Sequence, residues 1–278
     1  MTTTLNPHLP ATARGEEPGH GTMHGKRILV IGGGQRTVDP ETDPVGNGRA
    51  MCRLAAREGA EVVVVDRDAA SARATVDLIT AEGGIAHPLV ADVSDPSYAG
   101  PMVESALELL GTLDGLIYNV GVGIDHLDLA GIEVEDWDRT FAINTRGPAL
   151  AIKAALPKMA PGGSIVMISS TASLRTGGRL VAYQASKAAL AGLMRHCASE
   201  ASDQAIRVNI ICPGMVDTPN GRATSSANPN RLERIQQIPL KRMATGWDIA
   251  YAVNFLLSDQ SSFITSQILA VDGGATGL

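Results

Sequence analysis

From residue 26 onward, short runs rich in Val, Ile and Leu alternate with longer stretches whose apolar positions recur every three or four residues. Apolar runs of five or six residues suit strands buried on both faces, and the longer helical periods suit helices packed over them. The pattern predicts strands at 27–31, 61–65, 85–90, 113–118, 164–169, 206–211 and 267–271, with helices near 47–58, 68–82, 96–110, 133–160, 182–202 and 246–258. Gly59, Gly83 and Gly111 stand where three of these helices should stop. Strand and helix in strict alternation give a parallel sheet, so the expected class is α/β, with a seven-stranded, doubly wound sheet and helices on both faces. Residues 26–278 show no linker and no internal repeat, and read as one domain.

The first 25 residues lack apolar periodicity, are rich in Thr, Pro, Gly and His, and carry Glu16 and Glu17. They read as a flexible arm rather than a secretory or transit segment. The chain of 278 residues is 44% hydrophobic but only 3% aromatic, so its core must be aliphatic. Its formal net charge of −6, with no concentrated basic run, argues against nucleic acid and anionic membrane surfaces as partners. Apolar runs are far shorter than the roughly 20 residues that span a bilayer. Cys52, Cys197 and Cys212 are too few and scattered for a disulfide scaffold, and a reducing cytoplasm is expected. The six histidines form no ligand-spaced cluster, so no catalytic metal is expected.

The first predicted strand runs into Gly32-Gly33-Gly34-Gln35 and, after an interruption, into Gly46-Asn47-Gly48-Arg49 at the start of a helix. Glycines between a strand and a helix let the backbone approach a pyrophosphate, which free N–H groups and the helix dipole stabilise. This is the arrangement of a Rossmann fold. The second strand ends in Asp66-Arg67, and a carboxylate there can accept hydrogen bonds from both adenosine ribose hydroxyls while repelling a 2′-phosphate. NAD is favoured over NADP, with Asp66 as a plain helix cap the alternative.

Several motifs in order make the chain resemble the short-chain dehydrogenase/reductase family from about residue 26 to residue 278. Ser170, Tyr183 and Lys187 match that family's Ser and Tyr-x-x-x-Lys pattern, and Asn144 its helix asparagine. Asp92-Val93 resembles the adenine-contacting segment, and Tyr118-Asn119-Val120-Gly121 the Asn-Asn-Ala-Gly turn. Pro213-Gly214 through Val216 and Thr218 resembles the nicotinamide-side loop. The resemblance implies that Lys187 also holds the nicotinamide ribose, that Asn144 fixes a water linking Lys187 to solvent, and that the protein is a homotetramer.

The chemistry also follows from the residues. Moving a hydride between a carbinol carbon and nicotinamide requires an acid/base beside the oxygen. Tyr183 can serve, because Lys187 lies one helical turn along the same face and a nearby ammonium favours phenolate. Ser170 can donate to the substrate oxygen. Taken singly, Ser170 also fits a turn, Lys187 a solvated helix position, Asn144 a helix bend and Tyr183 a packing aromatic. The expected activity is NAD-dependent interconversion of a secondary alcohol and a ketone. The rivals are an NADPH-dependent reductase of 3-oxoacyl thioesters on a carrier protein, and a dinucleotide sensor without turnover.

Three departures from the family pattern stand out. Ile31 replaces Thr, and residues 36–45 are inserted into the glycine-rich loop, where their three acids should point away from a pyrophosphate. A surface flap at the adenosine end is expected, with Arg36 or Arg49 supplying positive charge. Tyr118 and Val120 replace Asn and Ala, which should affect cofactor affinity modestly and leave the acid/base groups untouched. Residues 216–242, the substrate lid by resemblance, are polar and helix-poor in their first half, which favours a small or polar substrate. Other residues expected near the cleft are Ile124, Asp125, His126, Leu174, Arg175 and Met215; Cys212 is expected to be buried and inert.

Overall fold

The computed structural model describes residues 9–37, 39, 42–123, 129–175, 180–225 and 230–277. Along β1 (Arg27–Ile31), Leu29 and Ile31 enter the core on one side of the sheet, and Ile28 and Val30 enter it on the other. Both faces are therefore buried, as the uninterrupted apolar run requires. The same division holds in β2 (Glu61–Asp66), with Val63 and Val65 opposite Val62 and Val64. The remaining main strands are β3 (Ile85–Val90), β4 (Leu113–Tyr118), β5 (Met159–Ile168), β6 (Arg207–Pro213) and β9 (Ile268–Val271); a short pair, β7 (Val216–Asp217) and β8 (Ala244–Thr245), stands apart. All pairings are parallel, and the order β3-β2-β1-β4-β5-β6-β9 is that of a Rossmann fold. Pro88 is tolerated in β3 because that strand is an edge and pairs only with β2.

The helices are α1 (Ala11–Arg14), α2 (Asn47–Arg57), α3 (Ala69–Ala81), α4 (Ala99–Leu110), α5 (Val134–Phe141), α6 (Gly147–Ala155), α7 (Val181–Glu200), α8 (Pro219–Ser225), α9 (Arg231–Gln237) and α10 (Gly246–Leu257). α2, α3 and α10 cover one face through Leu54, Ile79 and Val253, and α4, α6 and α7 cover the other through Val103, Ile152 and Leu190. Among the described residues no helix is long and apolar enough to cross a membrane.

The helix expected over 133–160 is not continuous. α5 passes into a π-helical turn, Ala142–Arg146, before α6, and β5 already begins at Met159. Pro148, just past the turn, has no N–H for the Asn144 carbonyl four residues earlier, and the Asn144 side chain is tied to a neighbouring loop. Pro157 then ends the helical stretch within a 3-10 turn, Leu156–Lys158.

Residues 9–25 do not form the flexible arm expected of 1–25. Met23 is completely buried, and the Glu58 carboxylate accepts the backbone N–H groups of His20 (3.0 Å) and Thr22 (2.9 Å). Arg57 donates to the carbonyls of Gly15 and Glu17, and Asn254 donates to Thr22 Oγ1. The segment is held mainly through its backbone, so no apolar period marks it in the sequence.

Candidate active site

The crevice opens at the carboxyl ends of the strands, where the chain order reverses between β1 and β4. Gly32 ends β1 in the left-handed region (φ 84°), and its carbonyl accepts a hydrogen bond from Asn119 Nδ2 at 2.9 Å. α2 starts directly above it. A Cβ on Gly48 would lie 1.9 Å from the Gly32 carbonyl oxygen, so only glycine allows this approach. Gly46 is less constrained: a Cβ there would meet only the Gln35 side chain, at 3.4 Å. Val120 packs over Gly32, and Gly34 lies against the Asp66 carboxylate at the end of β2. Arg67 beside it is exposed. Asp92 is exposed at the end of β3, its carboxyl held below the usual range chiefly by the backbone N–H of Ser94, and Val93 is buried.

The insertion is clamped at its base by Gln35, which accepts the Gly46 N–H at 2.7 Å and donates to the Pro44 carbonyl at 3.3 Å. Two of its acids turn onto the insertion itself: Thr42 Oγ1 donates to Asp39, and the Asp39 N–H donates to Asp43. Glu41 lies outside the described residues. Arg222 of α8 donates to the Thr42 carbonyl at 2.8 Å, so the flap also reaches the lid. Arg49 is not turned to the phosphate side; its Nε bonds Thr75 of α3. Arg36 is exposed.

Farther along the crevice, Ser170, Tyr183 and Lys187 share a cleft of about 350 Å³ with Asn47, Asn119 and Gly121. Pro213, Gly214, Val216 and Thr218 line its opposite side. Ser170, at the end of β5, begins a 3-10 turn and accepts the Ala172 N–H. Tyr183 and Lys187 lie one turn apart on α7. Burial pushes the Tyr183 phenol above its ordinary range, and a hydrogen bond with Ser170 opposes this. The Lys187 ammonium is 5.8 Å from the Tyr183 ring centroid and donates to the Ile168 carbonyl at 2.9 Å. Burial lowers its pKa to about 8. The acidifying contact on the phenol is thus Ser170, where the spacing alone suggests Lys187.

Asn144 is fully buried in the π-helical turn. Its side chain accepts the Val122 N–H at 2.9 Å and donates to the Val122 carbonyl at 2.8 Å and to Ser186 Oγ at 3.0 Å. Gly121 is the joint between this loop and the amine, since a Cβ there would lie 2.8 Å from Lys187 Nζ. A π-turn inside a helix is commonly found at functional sites. Tyr118 departs from expectation, because its hydroxyl reaches away from the cofactor side and donates to the Ile143 carbonyl at 2.8 Å. It therefore touches the element that carries Asn144.

The lid holds more helix than its composition suggests. Thr218 Oγ1 accepts the Gly221 N–H and Pro219 starts α8, a local cap followed by proline that outweighs the polar run. Met215 lines the cleft, while Arg175 turns to the Ala275 carbonyl and Leu174 is exposed. Ile124, Asp125 and His126 lie outside the described residues. Cys212 is buried, and burial raises its thiol. Arg234 and Met243 also line the cleft without any local sequence signal.

The cleft fits a dinucleotide by two observations. Asn47 Oδ1 is a buried acceptor without a hydrogen-bond partner, and the glycines at 32, 48 and 121 leave room that side chains would fill. The first-turn N–H groups of α2 add an anion-binding end.

Residues 44–276 match the family model described as enoyl-(acyl carrier protein) reductase. The chain is 36% identical to 2-(S)-hydroxypropyl-CoM dehydrogenase 3 of Xanthobacter autotrophicus, over 90% of this chain and 96% of that one. A short-chain dehydrogenase/reductase structure from Burkholderia xenovorans superposes with a TM-score of 0.84 at 34% identity, covering 93% of this chain and 99% of the other. A blue fluorescent protein from a metagenomic library, in complex with NADPH, superposes at 0.81 with 33% identity, covering 92% and 100%. With the sheet order, the crevice and these likenesses in agreement, the chain belongs to the short-chain dehydrogenase/reductase family of oxidoreductases.

Proposed function

We propose that the protein is an NAD-dependent dehydrogenase that interconverts a secondary alcohol and its ketone, with Tyr183 as the acid/base. The observation that carries this reading is the meeting of Tyr183, Ser170 and a buried Lys187 in one cleft. Asp66 would hold the adenosine ribose, Gly32, Gly34, Gln35, Gly46, Asn47 and Gly48 the pyrophosphate region, and Arg67, Asp92 and Val93 the adenine end. Asn119, Val120, Gly121, Pro213, Gly214, Val216 and Thr218 would form the nicotinamide side. Bound NAD would supply the hydride acceptor.

The chain's own groups manage the proton. Ser170 donates to the substrate oxygen and stabilises negative charge as it develops. Tyr183 takes the alcohol proton during oxidation and returns it during reduction. Lys187, held by the Ile168 carbonyl, keeps a positive charge near the phenol, and Asn144 joins the Gly121–Val122 loop to α7 beside it. The name of the Xanthobacter relative, a hydroxypropyl dehydrogenase, supports a secondary alcohol as the reacting group. A homotetramer in a reducing cytoplasm accompanies this reading, with the three free, buried cysteines in keeping with it.

The competing reading is an NADPH-dependent 3-oxoacyl-thioester reductase. Exposed Arg67 and the NADPH-bound neighbour favour it; Asp66 and the net charge oppose it. The test is initial-rate kinetics on a panel of secondary alcohols and ketones with each dinucleotide, with Tyr183→Phe as control. Tyr183-dependent turnover preferring NAD supports the proposal. A strong NADPH preference with activity on 3-oxoacyl thioesters would replace it, and dinucleotide binding without turnover would leave a sensor.

A further inference from the structure

Three of the lid's arginines are partnered by carboxylates and one is not. Arg222 makes a two-pronged contact with Asp217 (2.8 and 2.7 Å), Arg231 approaches the same carboxylate at 3.5 Å, and Arg242 pairs with Asp248 at 2.7 Å. Arg234 has no ion pair among the described residues, yet its side chain lines the cleft that holds Tyr183 and Ser170. Among the described residues the lining contains no carboxylate, and its two charged side chains are Lys187, beneath Gly121, and Arg234, on the lid side. Arg231, on the same helix, is turned to Asp217 and to the Met243 sulfur, so Arg234 is the α9 guanidinium that faces the cleft.

We propose that Arg234 recognises an oxyanion on the substrate, so that the enzyme acts on a secondary alcohol or ketone carrying a carboxylate, sulfonate or phosphate group. This inference rests on the dehydrogenase reading above and narrows its substrate class. A guanidinium fork matches such groups in a two-bond geometry that a neutral alcohol cannot use. In a chain of net charge −6, an anionic substrate needs a local cation to offset the overall repulsion. The acid group would face α9 while the carbinol faces Tyr183. Met215 and Met243, also in the lining, supply adaptable apolar surface for the carbons between them.

The test uses the full chain with its preferred dinucleotide and a homologous series of 3-, 4- and 5-hydroxy acids and hydroxyalkyl sulfonates. Each acid is paired with its neutral amide, and neutral secondary alcohols are run alongside. The expected result is a kcat/KM about tenfold or more higher for at least one anion than for its neutral partner. Arg234→Gln should erase that preference by raising KM for the anion alone, Arg234→Lys should restore part of it, and the dinucleotide Kd should not move. Equal turnover of anion and amide overturns the proposal. So does an Arg234→Gln effect confined to dinucleotide Kd, which would assign the guanidinium to the pyrophosphate. Tyr183-dependent turnover of neutral alcohols alone overturns the anion assignment while leaving the dehydrogenase reading intact. Absence of turnover on every substrate removes both.

Discussion

The Tyr118 hydroxyl donates to the carbonyl of Ile143 at 2.8 Å, one residue before Asn144. Tyr98 donates to the carbonyl of Gly147 at the same distance, so two buried phenols brace the π-helical turn at both ends. Burial pushes both phenols further up from their ordinary range, which keeps them protonated and able to donate. A Cβ on Gly147 would come within 2.2 Å of the Tyr118 oxygen, so glycine is required for the brace to close.

Tyr118→Phe keeps the ring and removes the donor. We expect kcat to fall by about tenfold or more through a displaced Asn144, with dinucleotide KM nearly unchanged. The pH profile of kcat and the solvent isotope effect should both change, because proton movement near Lys187 is affected; a role in packing alone would move neither. Wild-type values for both, together with a lowered Tm, would reduce the brace to a structural one.

The brace was not legible in the sequence, where Tyr98, Tyr118 and Ile143 are remote from one another and carry no joint pattern. What was legible depended on short-range regularity. The inner strands are visible because both faces are buried, and Tyr183 and Lys187 because four residues make one helical turn. Gly48 and Gly46 look alike in a glycine-rich run, and only the approach of α2 to Gly32 distinguishes them. The docking of residues 9–25 leaves no mark in the sequence because Glu58 captures backbone N–H groups that every residue but proline possesses. Arg234 is hidden for another reason: an arginine on a polar lid reads as solvated until its neighbours' ion pairs are known.

Gly48→Ala should cost about 2 kcal/mol in stability and weaken dinucleotide binding severely, since the added methyl meets backbone rather than a movable side chain. Gly46→Ala should be mild. Calorimetric titration with NAD and thermal melts of both variants decide this, and equal damage would mean that α2 has shifted from the position described.

Lys187 links stability to pH. Its folded pKa of about 8 lies below the unfolded value of 10.5, so the unfolded chain binds more protons between these limits and stability rises with pH across that window. Below about pH 8 the whole penalty for burying the charge is present, on the order of 3 kcal/mol. Lys187→Met removes it but leaves the Ile168 carbonyl unpaired, a loss of about 1 kcal/mol. The variant should therefore be inactive yet more stable than wild type at pH 7, with the advantage shrinking by pH 10. Urea unfolding at the two pH values without dinucleotide measures this, and a constant difference would mean that Lys187 does not titrate there.

Tyr183 gives the activity its own pH dependence. Its phenol is raised by burial, so the basic form that accepts the alcohol proton is scarce at neutral pH and grows as pH rises. Oxidation should speed up from about pH 7 to 8, above which Lys187 loses its charge, while ketone reduction, which uses the protonated phenol, is best near neutrality. Initial rates in both directions over this range check the sign. Oxidation falling with pH would remove Tyr183 from the role of base.

The flap and the lid meet where Arg222 holds both Asp217 and the Thr42 carbonyl. Because deletion of 37–45 removes Pro44 but spares the Gly46 N–H bond to Gln35, it should leave the phosphate turn standing and raise the KM for NAD far less than Gly48→Ala does. Its effect should come through the lid instead. Arg222→Ala breaks the same contact from the other side, so the deletion and the substitution should not add: the double variant should resemble the worse single one, with a coupling of about 1 kcal/mol in kcat/KM. Additive losses would mean that Arg222 acts only through Asp217 and that the insertion closes nothing. Damage from the deletion as large as that from Gly48→Ala would place the insertion in the phosphate site itself.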